Sequence, residues 1–152
     1  MSDGPANDRD IHRLLREQGF TPGFALPAKK KPRNNEESRM QIALIRWWAS
    51  VCRQFGVPEI LLASCPNGGG RSGPRVGAIL KAEGLRAGFP DLGLYAPRGV
   101  HHALFLELKR PAGVVSPEQE VFHSLLRDQG YKVVVVRGVI EGINEITSYL
   151  NR

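Results

Sequence analysis

Ala103 to Lys109 reads as a strand with two charged side chains set among apolar ones. Side chains alternate along a strand, so Phe105, Glu107 and Lys109 share one face while Leu104, Leu106 and Leu108 pack on the other. A carboxylate and an ammonium two residues apart in apolar surroundings are expensive to desolvate unless they pair, bind a metal or do chemistry. Asp91, directly after Pro90 at the start of the preceding β-like run, adds a second carboxylate. Hairpin pairing of the two runs brings it beside Glu107. Two carboxylates at one strand edge repel, and a hard divalent cation with oxygen ligands is the usual remedy. Magnesium, with manganese as a substitute, suits such a site. An ion of this kind polarises a phosphodiester and activates water, while Lys109 can orient the nucleophile or stabilise charge developing on phosphate. Taken alone, the tripeptide also fits a structural ion pair of Glu107 with Lys109 or Arg110, with Asp91 a turn residue after proline.

The elements that would position these groups follow from periodicity. Met40, Leu44, Trp47, Trp48, Val51 and Phe55 recur at helical spacing, with Asn34 or Asn35 as cap and Gly56 and Pro58 as stop. Glu59 to Ser64 reads as a short buried strand, and Pro74 opens a helix reaching Glu83 after a glycine-rich loop. Asp91 to Tyr95 and Ala103 to Lys109 form a hairpin around Pro97, Arg98 and Gly99. Ser116 caps the next helix, with Val121, Phe122, Leu125 and Leu126 expected on its buried side and Gly130 after its end. Tyr131 to Val136 is a strand covered on both faces, and Val139 to Leu150 is an amphipathic helix. The order is helix, strand, helix, strand, strand, helix, strand, helix, an α/β domain with a mixed central sheet flanked by helices. Trp47 and Trp48 point about 100° apart on the first helix. They either border a broad core stripe or place one ring in an interface.

A chain of 152 residues, with 41% hydrophobic and 24% charged residues, fits one folded domain and excludes collagen-like, membrane-spanning and wholly disordered classes. Residues 1–35, with the basic run Lys29, Lys30, Lys31 and Arg33, form an arm that serves as a solvated linker or an extra phosphate contact. A short helix from Asp8 to Gln18 fits within it, and residues 36–152 form the domain. Cys52 and Cys65 are too few for a disulfide framework or a four-ligand zinc site and are read as reduced and buried. With no apolar segment long enough to span a bilayer and no signal peptide, the expected location is the cytoplasm. The net charge of +6 points toward a polyanion. Between Ser64 and Ser116 the basic residues Arg71, Arg75, Lys81, Arg86, Arg98, Lys109 and Arg110 face only Glu83, Asp91 and Glu107. Arg71, Arg75, Lys81, Arg86 and Arg110 are therefore candidate contacts to nucleic-acid phosphate. Gly68, Gly70 and Gly73 match a dinucleotide fingerprint by spacing, but Pro74 follows at once and Asp91 begins a strand where the fingerprint acid should end one, so no nucleotide cofactor is expected.

Gly88-Phe89-Pro90-Asp91, Glu107-Leu108-Lys109-Arg110-Pro111 and Ser116-Pro117-Glu118-Gln119 together resemble the PD-(D/E)xK nucleases and, more narrowly, the VRR-NUC family. The resemblance runs from Glu37 to Arg137 and includes Pro66-Asn67-Gly68-Gly69 and Gly130 to Arg137. It implies a restriction-endonuclease-like fold in which Asp91, Glu107 and the carbonyl of Leu108 bind the metal and Lys109 is the catalytic lysine. Glu37 and Gln41 match a glutamate and glutamine of the family's first helix, which puts Glu37 at the metal site, with Glu36 as its rival and a favourable acid near a helix N-terminus as the plainer reading of either. Gln119 matches a family glutamine counted among the catalytic residues, yet Ser116 and Gln119 also have capping-box spacing. Asn67 is a turn former by type and a DNA-loop member by resemblance. His101 and His102 read as exposed loop residues. The implied activity is metal-dependent hydrolysis of DNA. Stand-alone members, often phage-encoded, resolve Holliday junctions as homodimers, and the short chain favours that group. Flap or repair nucleases and an inert nucleic-acid-binding domain are the alternatives.

Overall fold

The computed structural model describes residues 36–65 and 74–151. The expected arm with its short helix, the caps Asn34 and Asn35, and the loop residues Asn67 and Arg71 lie outside them. Helix α1 (Glu36–Val51) buries Met40, Leu44 and Trp48, a stripe at four-residue intervals. A 3-10 turn, Cys52–Phe55, follows and ends at Gly56 in the left-handed region. The strand expected from Glu59 begins only at Leu62, because Glu59–Leu61 is a 3-10 turn. The Trp48 indole N–H donates to the Glu59 carbonyl at 2.8 Å, which takes that carbonyl away from any sheet ladder. Trp48 is 1% exposed and its ring stacks on Phe55, so it closes the core and offers nothing to a partner surface. Trp47 packs half-buried at the core's edge.

Strands β1 (Leu62–Ser64), β2 (Leu92–Leu94), β3 (Leu104–Leu108) and β4 (Lys132–Val136) form one mixed sheet in that order. β1 with β2 and β2 with β3 are antiparallel, while β3 with β4 is parallel. Helix α2 (Pro74–Ala82) precedes β2, α3 (Pro117–Asp128) makes the crossover from β3 to β4, and α4 (Val139–Leu150) follows β4. The element order is the one read from sequence.

Leu104, Leu106 and Leu108 point into the larger cluster, with Leu44, Trp48, Ile146 and Tyr149 from α1 and α4. At Gly142 a Cβ would meet Leu44 at 2.9 Å, so α4 lies against α1 at glycine distance. Phe105 and Val133 point to the opposite face, into a smaller cluster with Cys65, Phe89, Leu126 and Tyr131. Both cysteines are buried and unbridged.

Helix α3 departs from the expected burial. Val121 and Leu125 are 61% and 56% exposed, and the buried residue is His123. The helix start packs its backbone on Gly88, and Gln119 and His123 reach Glu107, so the face turned toward the sheet is that of Gln119, Phe122, His123 and Leu126.

Candidate active site

The parallel register pairs Glu107 with Val135 in the middle of the sheet, and Phe105 on the same face anchors that face in the smaller cluster. Glu107 is fully buried. Its Oε1 lies 2.8 Å from Lys109 Nζ and accepts from Gln119 Nε2 at 2.5 Å, and its Oε2 lies 3.4 Å from His123 Nε2. Burial drives the Glu107 pKa up to about 7; Lys109 opposes the shift, and Asp91 and Glu37 add to it. Burial first, then Arg127 and Lys109, holds His123 below the ordinary imidazole range, so this ring faces Glu107 as a neutral group at neutral pH.

Asp91 sits one residue before β2 and is tied to strands on both sides. Its N–H donates to the Leu106 carbonyl at 3.1 Å, and its carbonyl accepts from the Cys65 N–H at 2.8 Å. Its Oδ2 accepts from the Leu108 N–H at 2.7 Å. The next amide, that of Lys109, donates the other way, to Val136 on β4 at 2.9 Å. Backbone groups alternate sides along a strand, so the Leu108 carbonyl is directed toward Asp91 as well. The approach to Asp91 is set by Gly88, whose φ of +89° suits glycine. A Cβ there would lie 2.6 Å from the Glu118 carbonyl oxygen and 3.0 Å from the Gln119 nitrogen. The loop that delivers Asp91 and the helix start that delivers Gln119 are therefore packed backbone on backbone.

Gln119 makes two contacts at once. Its Oε1 accepts from the Ser116 N–H at 2.9 Å, completing the capping box, and its Nε2 donates to Glu107. His123, one turn further along α3, was not singled out from the sequence. The signal lay in its i+4 spacing from Gln119, which puts both on one helix face.

Glu37 accepts from the Arg110 N–H at 3.3 Å, which links the start of α1 to the exit of β3. Gln41 donates to Ser64 Oγ at 3.0 Å, while Glu36 is exposed. Lys81 and Arg86 are exposed, and Arg86 donates to the Lys81 and Leu85 carbonyls at 3.3 Å each. Arg110 is exposed at the end of β3. The Arg75 side chain lies outside the described residues, with Asn67 and Arg71. His101 pairs its backbone with Arg98, and the exposed His102 sets its ring against Tyr131.

Among the described residues no three His, Cys, Asp or Glu side chains form a group that holds an ion by themselves. The donors that converge on the end of β3 are two carboxylates and a backbone carbonyl, all oxygen, which is the chemistry a hard cation prefers. The raised pKa of Glu107 marks a place where negative charge is disfavoured by its surroundings, as a cation would correct. Asp91, Glu107 and the Leu108 carbonyl supply the kind of oxygen donors that a hard divalent cation takes, and Glu37, which accepts from the Arg110 N–H, lies on the α1 side.

A mixed sheet with flanking helices, bearing an aspartate opposite a Glu-x-Lys strand, is the arrangement that the resemblance to PD-(D/E)xK nucleases implies. The VRR-NUC domain family model matches residues 35–140, and the chain belongs to that family. A solved structure described as a VRR_NUC domain protein superposes with a TM-score of 0.65 at 25% identity, over 79% of this chain and 92% of that one. Another, a VRR_NUC domain, gives a TM-score of 0.49 at 23% identity, over 75% of this chain and 97% of that one. No match was found among curated proteins. No helix among the described residues is long and apolar enough to cross a membrane.

Proposed function

We propose that the chain is a Mg2+-dependent DNA endonuclease that cuts branched DNA such as Holliday junctions and works as a homodimer. The observation that carries the hydrolytic reading is Glu107, a fully buried carboxylate gripped by Lys109, Gln119 and His123 while Asp91 stands at the neighbouring strand edge. Asp91, Glu107 and the Leu108 carbonyl would hold the ion, which when bound polarises the phosphodiester and lowers the pKa of water; Mn2+ would substitute. Lys109, 12% exposed at its side chain and on the open side of Glu107, would present its ammonium to the attacked phosphate. Gln119 and His123 keep the Glu107 carboxylate in place. The positive charge of the chain supports a polyanionic substrate, with Lys81, Arg86 and Arg110 as phosphate contacts. Symmetric cutting of a two-fold junction needs two such sites, which a C2 dimer supplies.

Cleavage of junction, flap, nicked and linear DNA, compared side by side with Mg2+ and with EDTA, tests the reading. Mg2+-dependent cutting with preference for the junction is expected. Full activity in EDTA overturns the metal, and equal cutting of linear duplex overturns the branched substrate.

A further inference from the structure

The sheet face that carries Glu107 also holds a cavity of about 540 Å3 that the hydrolytic residues do not occupy. Leu80 and Leu85 wall it on the α2 side, Phe122 on the α3 side, and Phe89, Tyr95 and Cys65 beside the sheet. Tyr95 is 44% exposed, although its ring stands edge-on to Phe105 in the smaller cluster. Its hydroxyl lies 3.7 Å from the Cys65 sulfur, giving an apolar wall one polar edge. Arg86 and Glu83 also line the opening and are exposed.

Three residues that line this cavity are directly tied to the segments that carry the carboxylates. The Cys65 N–H bonds the Asp91 carbonyl at 2.8 Å. Phe89 is two residues before Asp91, and Phe122 precedes His123, whose ring faces Glu107. A strand lying with a phosphate at the carboxylates therefore passes the mouth. The chemistry on offer is flat rings, one polar edge and a guanidinium at the rim, which is what a nucleobase with its sugar-phosphate outside would meet. Glu83 repels phosphate from the interior, while Arg86, and Lys81 whose carbonyl it contacts, leave positive charge outside. The volume falls in the usual range of small-ligand pockets. A paired base is held in its stack, so the occupant must be unpaired or extruded.

We propose that this pocket takes up an unpaired nucleobase of the strand being cut, beside the scissile phosphate, so that the enzyme selects DNA whose bases are unstacked at the cleavage site. The proposal rests on the DNA-nuclease reading above and deepens it.

The test is a binding scan in EDTA, where no hydrolysis is expected. A duplex with a short single-stranded gap is compared with versions carrying one abasic residue at successive positions, by fluorescence anisotropy. One position should stand out, with affinity lowered about tenfold, the size expected for one base stacked on aromatic side chains. Tyr95→Leu should cost a similar factor on the intact DNA, and that cost should shrink severalfold on the abasic DNA at the same position. Leu80→Trp, which fills the cavity from the α2 side, should behave alike, with thermal melting confirming that each variant folds. The scan on the unaltered protein decides even where a variant does not fold. A flat abasic scan, or variants that weaken intact and abasic DNA equally, overturns the pocket. Parallel reactions in Mg2+ separate the two readings: no hydrolysis with base-dependent binding intact rejects the nuclease and keeps the pocket, whereas hydrolysis with a flat scan rejects the pocket and keeps the nuclease.

Discussion

Glu107 is disfavoured as a charge by the place it occupies, and this has a consequence that can be measured without DNA. Its pKa is about 7 in the folded protein, above the ordinary glutamate value, because burial penalises the ionised form. Between the unfolded pKa and 7 the folded state binds the extra proton, so stability falls as pH rises through that window. Glu107→Gln removes the titration. In EDTA the variant should gain on the wild type from pH 4.5 to pH 8, by up to ~3 kcal/mol, as read by urea unfolding at the two ends. A gap that does not change with pH would show that Glu107 is ionised throughout. Lys109 calls for a kinetic test. Lys109→Ala should lower the single-turnover cleavage rate by roughly 100-fold or more, with little change in Kd. If affinity collapses instead, the lysine holds DNA and does not assist the reaction. At this scale Glu107, Lys109 and Asp91 were legible because strand alternation and a proline-marked strand start place them. His123 was not, since its i+4 spacing from Gln119 points to the site only once Gln119 is known to face Glu107.

Among the elements, α3 shows where local patterning misleads. Val121, Phe122, Leu125 and Leu126 suggest a wide apolar face, yet the contacts of Gln119 and His123 with Glu107 leave Val121 and Leu125 in solvent and put His123 in the core. The remaining elements were legible, as strong helical stripes and short β-rich runs, except at Glu59, whose carbonyl is claimed by a tryptophan 11 residues earlier. The contact between Gly88 and the start of α3 makes one glycine answerable for two parts of the site. Gly88→Ala meets both a left-handed backbone and a carbonyl at 2.6 Å. It should cost roughly 2–4 kcal/mol of stability. Cleavage measured well below the melting temperature should fall too, because the helix start carrying Gln119 must shift. Unchanged melting would mean that the loop can move away freely.

For the molecule as a whole, the net charge of +6 predicts binding that weakens steeply with salt. Lys81→Ala, Arg86→Ala and Arg110→Ala should each lower the slope of log affinity against log salt by roughly 1 if the residue meets phosphate. Equal slopes in all three would move the DNA path elsewhere. The fold class was readable because one βα crossover and one hairpin leave few topologies. Assembly was not readable, since an isologous surface has no periodic signature in one chain, and Trp48, one of the two tryptophans considered for it, is spent on the core. Light scattering with and without junction DNA addresses the dimer: cutting of both strands by a monomer in one encounter would remove the need for it.

The hydrogen bond from Leu108 to Asp91 turns one amide proton into a spectroscopic probe. Most amides of the sheet report on the ladder, as that of Lys132 on β4 does through its 2.9 Å bond to the Ala103 carbonyl. The Leu108 amide instead donates to a side-chain carboxylate, so its resonance frequency and its hydrogen-exchange rate follow the electron density on Asp91 Oδ2. In 15N-labelled protein titrated with Mg2+, the cross-peaks of Leu108 and of Lys109, whose nitrogen shares the peptide group of the Leu108 carbonyl, should move while that of Lys132 holds nearly still. Occupancy of the site would then be visible in solution with no substrate and no turnover.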